Sequence, residues 1–111
     1  MRLLVTATLL CLAATPRLAS AADPDARALF LENCATCHGE KGDADTDLGS
    51  KYMAQDFTSP DFKKKFDAAK AKKVITNGVK KTKMKAWKGK LSPAEIDALS
   101  KYVLTFPAAS K

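Results

Sequence analysis

The stretch Asn33-Cys34-Ala35-Thr36-Cys37-His38-Gly39 decides how this chain is read. Two cysteines separated by two residues, with a histidine directly after the second, form the C-x-x-C-H pattern of covalent haem attachment. Each thiol can add to one of the two haem vinyl groups. A helical turn puts the sulfurs of Cys34 and Cys37 on one side. His38 follows one turn after Cys34, so its imidazole can reach the iron from that same side as a proximal ligand.

Two other uses of a cysteine pair compete and fail. A thioredoxin-type dithiol sits in a strand–helix context, and nothing upstream of Cys34 reads as a strand. A structural zinc site takes four ligands, usually from two separated pairs. The only other cysteine is Cys11, and there is no second histidine.

The N-terminus reads as an export signal. Met1-Arg2 is a short basic start, Leu3 to Ala14 is apolar, and Ala19-Ser20-Ala21 supplies a small-x-small cleavage pattern. Residues 1–21 are therefore expected to be removed, with the cut after Ala21. The apolar run is too short for a retained membrane span. Cys11 leaves with it, and its neighbour Leu10 argues against lipidation. Residues 22–111 are expected to form a single domain in the periplasm. At roughly 90 residues it has little apolar volume for a core of its own, so a tethered haem would complete the core and the haem-free chain should fold poorly.

Charge is uneven along the chain. The formal net charge of +7 falls to about +5 when Arg2 and Arg17 leave with the leader. From Asp23 to Asp61 nine acidic residues face Arg27, Lys41 and Lys51. From Phe62 onward fourteen lysines face Asp67, Glu95 and Asp97. The molecule should be a dipole with its basic end in the second half.

The pattern of caps predicts an all-α fold of about four short helices. Asp23-Pro24 reads as an N-cap and first-turn proline for a helix running through Phe30 into the haem motif, broken by Gly39 and Gly42. The following loop to Tyr52 carries Asp43, Asp45 and Asp47 at alternate positions. A calcium loop would need glycine at its sixth position and an acid at its twelfth, where Leu48 and Ala54 stand, so a solvated acidic loop is expected. Ser59-Pro60-Asp61 starts a second helix with Phe62 and Phe66 on one face. Asp67 caps a third running to Thr76, with Asn77-Gly78 as a left-handed C-cap. Ser92-Pro93-Ala94-Glu95 is a capping box for the last, carrying Ile96, Leu99, Val103 and Phe106 at helical spacing until Pro107.

Between the last two helices, Val79 to Lys90 lacks helical pattern yet holds Met84 and the only tryptophan, Trp87. With no other histidine, a six-coordinate iron would take a thioether or an amine opposite His38. Met84 and Met53 are the thioether candidates, and the loop setting favours Met84.

From Asp23 to about Phe106 the chain resembles a small class I c-type cytochrome of bacteria. Phe30, four residues before the first cysteine, is similar to that family's aromatic, and Leu99 and Tyr102 are similar to its partners on the last helix. The family often has glycine where Ala26 stands. The resemblance implies N- and C-terminal helices crossing around one covalent haem c, with His38 and Met84 as axial ligands of its iron. The family usually follows this methionine with proline. Lys85 stands there instead, so the loop lacks that stiffener.

An iron saturated by His38 and Met84 has no open position for substrate, which leaves one-electron exchange. No catalytic constellation stands elsewhere, so the expectation is an electron carrier rather than an enzyme. The competing reading is a five-coordinate or ligand-labile haem protein that binds small molecules or acts as a weak peroxidase. Lys80, Lys81, Lys83, Lys85 and Lys88 surround Met84, and clustered charge beside a redox centre suggests docking of an acidic protein partner. Lack of stacking aromatics among these lysines argues against nucleic acid. A soluble monomer with no membrane anchor is expected.

Overall fold

Asp25, rather than Asp23, opens the first helix, because its carboxylate accepts the Ala28 N–H at 3.1 Å. The computed structural model describes residues 23–109. The expected leader, residues 1–21, and its cleavage point lie outside them. Among the described residues the elements are α1 (Ala26–Asn33), α2 (Ala35–His38), α3 (Asp47–Tyr52), α4 (Pro60–Lys65), α5 (Ala68–Asn77) and α6 (Pro93–Tyr102). The all-α class agrees with expectation, while the element count is higher for two local reasons.

The expected single helix through the haem motif is two helices, broken at Cys34, whose φ of −120° departs from helical geometry. The expected acidic loop also contains α3. Thr46 caps it by accepting the Gly49 N–H, and Met53 ends it in the left-handed region at φ 55°. Elsewhere the N-caps stand where expected, with Ser59 on α4, Asp67 on α5, and Ser92 with Glu95 as a reciprocal box on α6, but α6 ends at Tyr102 instead of continuing through Phe106 to Pro107. Gly78 does end α5 with positive φ, but at φ 68° and ψ −174° it leaves extended rather than in the αL well.

α1 and α6 pack on each other, as do α5 and α6. Their shared core is aromatic. Phe30 is wholly buried, with Tyr102 at 5.4 Å, Phe106 at 5.1 Å and Phe57 at 6.2 Å between ring centroids. Phe62, Ala71, Leu99 and Val103 complete it. Two polar ties close the periphery. Lys63 Nζ donates to the carbonyls of Leu104, at 3.0 Å, and Phe106, fastening the segment after α6 to α4. Asp97 on α6 pairs with Lys72 on α5 at 3.5 Å and with Lys101 at 3.0 Å.

Candidate functional site

α2 is one turn long, and it gathers the three residues singled out by the sequence. Cys34 immediately precedes it, Cys37 and His38 end it, and all three are half-buried. Its last turn is clasped from outside by α3. The Thr46 hydroxyl donates to the Cys37 carbonyl at 2.8 Å while accepting the Gly49 N–H at 2.8 Å. A Cβ on Gly49 would stand 2.4 Å from that Cys37 oxygen and 2.3 Å from the Ala44 oxygen, so only glycine lets α3 approach this closely.

His38 is held on its far side. Its Nδ1 lies 2.9 Å from the carbonyl oxygen of Gln55. A carbonyl can only accept, so Nδ1 carries the proton and Nε2 keeps its lone pair. Phe57 stacks on the imidazole at 4.6 Å and 19°. Burial lowers the His38 pKa below its usual 6.5, although the Gln55 bond pulls the other way, so the ring is neutral at neutral pH. A neutral imidazole with one nitrogen tied to a carbonyl and the other free is the form that binds a metal. The residues present therefore fit an iron held by His38.

The setting of Cys34 disfavours its thiolate. Burial, aided by the adjacent Cys37 thiol, pushes Cys34 up to about 11. A nucleophilic dithiol needs the opposite shift.

The two methionines occupy different settings. Met53 is 89% exposed at the end of α3, two residues before Gln55, on the segment that backs the Nδ1 side of His38. Met84 is half-buried in the loop between α5 and α6. That loop is docked on the end of α5, where the Trp87 N–H donates to the Ile75 carbonyl at 2.9 Å and the Lys88 N–H to Thr76 at 3.3 Å. Lys83 Nζ stands over the Tyr52 ring at 5.8 Å, which joins the Met84 loop to the end of α3. Sequence reasoning missed Gln55, Phe57, Thr46 and Gly49. Gln55 acts through its backbone and leaves no side-chain signature. A glycine and a threonine three residues apart in an acidic stretch were the only visible trace of the clasp.

Comparison with known proteins identifies the family. A family model described as cytochrome c oxidase, cbb3-type, subunit III, matches residues 21–103. The chain is 43% identical over 77 residues, 69% of its length, to the cbb3-type cytochrome c oxidase subunit FixP of Azorhizobium caulinodans. It is 33% identical over 75 residues, 68% of its length, to the FixP subunit of Bradyrhizobium diazoefficiens. These matches span 25% and 24% of the two relatives, so the chain corresponds to about a quarter of each. A solved structure described as the KustC0563 c-type cytochrome superposes with a TM-score of 0.69 at 33% identity, covering 76% of this chain and 99% of that one.

The relatives overturn one expectation. They are subunits of an oxidase, which conflicts with a free, unanchored monomer that meets an acidic partner through the lysines around Met84. Exposed charge reports what a surface attracts and is silent on whether the domain is built into an assembly. The loop lysines are exposed as expected, and Lys90 lies over the Trp87 ring at 5.7 Å, but that exposure selects no partner. By fold, attachment motif and family match, this chain belongs to the cbb3-type cytochrome c oxidase subunit III family and is a small c-type cytochrome that transfers electrons through covalently bound haem c.

Proposed function

We propose that residues 22–111 form a single exported haem domain, preceded by a leader at 1–21, that relays single electrons in the periplasm to or within a terminal oxidase of the cbb3 kind. Cys34 and Cys37 would supply the two thioether links, and His38 and Met84 would hold the iron. When bound, haem c provides one reversible one-electron couple.

The observation that carries this reading is the bond from His38 Nδ1 to the Gln55 carbonyl. It fixes the tautomer, leaves Nε2 as the donor atom and stops the ring from turning, while Phe57 holds the ring plane by stacking. Burial keeps the imidazole neutral, so no proton has to leave before Nε2 binds. Met84 is preferred to Met53 because Met53 stands 89% exposed on the strip of chain leading to Gln55, whereas Met84 is half-buried in a separate loop docked on the end of α5. A thioether opposite an imidazole raises the potential and closes the sixth position to substrate.

The test uses the purified full chain with its haem. A potentiometric titration should follow a one-electron Nernst curve, and the reduced protein should not bind carbon monoxide at neutral pH. Prompt carbon monoxide binding would favour a five-coordinate or ligand-labile haem protein instead. Turnover of a cbb3-type oxidase with this protein as electron donor or as fused subunit then tests the place in the chain of carriers.

A further inference from the structure

The loop carrying Met84 lacks the proline that would stiffen it, yet it is internally closed. The Thr82 hydroxyl donates to the Val79 carbonyl at 2.8 Å and accepts the Met84 N–H at 3.1 Å. The Val79 N–H donates to the Met84 carbonyl at 3.0 Å, and the Thr82 N–H to Val79 at 3.2 Å. Both backbone groups of Met84 are thus used inside one six-residue ring from Val79 to Met84.

The ring has little freedom to rearrange. Lys81 takes a positive φ of 63°, a conformation costly to a non-glycine residue unless its surroundings hold it. Gly78 seats the ring on the end of α5, since a Cβ there would stand 2.7 Å from the Met84 oxygen and 2.7 Å from the Ala86 nitrogen. Downstream, Trp87 and Lys88 are pinned to Ile75 and Thr76. Among the described residues Thr82 is the only side chain that bonds to the Met84 backbone, and it bridges the start of the ring to its end.

We propose that Thr82 is a positioning residue that braces the loop and holds the Met84 thioether toward the iron, doing by a side-chain bridge what proline does elsewhere. This rests on the reading of Met84 as axial ligand. Any external ligand must wait for Met84 to leave, so its apparent affinity scales with the fraction of molecules in which the loop has opened. Losing a hydroxyl that makes two hydrogen bonds should raise that fraction about five- to tenfold.

The experiment compares wild type, Thr82→Val and Thr82→Ser as haem-loaded proteins. The first readout is imidazole affinity of the oxidised form. The second is amide exchange of the Met84 N–H, followed by NMR in the reduced form. Thr82→Val should bind imidazole about five- to tenfold more tightly and exchange the Met84 amide faster, while Thr82→Ser, which keeps the hydroxyl, stays close to wild type. Unchanged imidazole affinity in Thr82→Val overturns the proposal, whether or not amide exchange quickens, because the hydroxyl would then shape the loop without governing the thioether. Failure of the ligand reading looks different: the reduced wild-type protein would show no iron-bound methionine signals, or would keep them in Met84→Ala, and the proposal would fall with it.

Discussion

At the residue scale, the site depends on contacts with the backbone more than on side-chain chemistry. Gly49 is the sharpest case. Gly49→Ala drives a methyl into the Cys37 and Ala44 carbonyls, which belong to the backbone and cannot swing aside. We expect a loss of about 2–3 kcal/mol in urea unfolding. Gly89→Ala meets no atom within 4 Å and suffers only from its φ of 82°, so it should cost about 1 kcal/mol. Equal losses at the two positions would mean that the clasp on α2 is loose. Gln55 makes the complementary point. Its carbonyl serves His38 while, among the described residues, its side chain bonds only to the neighbouring Asp56 carbonyl, so Gln55→Ala should stay within about 0.5 kcal/mol and leave the His38 Nδ1–H resonance in place. Loss of that resonance would contradict the tautomer assigned here. Cys34, Cys37 and His38 stand out in the sequence because the chemistry expected of them lives in side chains at fixed spacing. Gln55 was not, because any residue can present a carbonyl.

At the scale of elements, helices that announce themselves through local capping were readable, and helices made by docking were not. Ser59-Pro60, Asp67 and the Ser92–Glu95 box each satisfy free N–H groups with a nearby side chain, which is a purely local signal. Ser92→Ala removes one arm of the box and should cost about 1 kcal/mol, seen as a lower urea midpoint. In contrast, α3 is six residues long and has no apolar stripe to read, being held by Thr46 and by its seat on Cys37. The α5–α6 junction yields a pH test. Lys101, with Lys72, holds the Asp97 carboxyl below its ordinary value of 3.8. A depressed acid stabilises the fold above its ordinary range, and that contribution is lost as pH falls through the depressed value. Asp97→Asn should therefore be less stable than wild type near neutrality, with the gap closing in strong acid and narrowing in high salt. A gap that persists in acid would show that Asp97 acts through something other than charge.

For the whole molecule, the aromatic cluster of Phe30, Phe57, Phe62 and Phe106 couples the haem-attachment turn to the closing helix, because Phe57 touches His38 on one side and the core on the other. Phe57→Ala should therefore cost about 3 kcal/mol or more and loosen His38 together with the fold. The fold class and the attachment turn could be read from the residues, but membership of an assembly could not. The uneven charge pointed to a freely diffusing partner, whereas the relatives are subunits of an oxidase. The central claim is that a covalently held haem lies between His38 and Met84. The absorption spectrum of the oxidised, haem-loaded protein tests it most directly, through the weak sulfur-to-iron charge-transfer band, taken for wild type, Met53→Ala and Met84→Ala. The account predicts that the band is present in wild type and in Met53→Ala and absent in Met84→Ala. A band that survives Met84→Ala, or disappears with Met53→Ala, would contradict it.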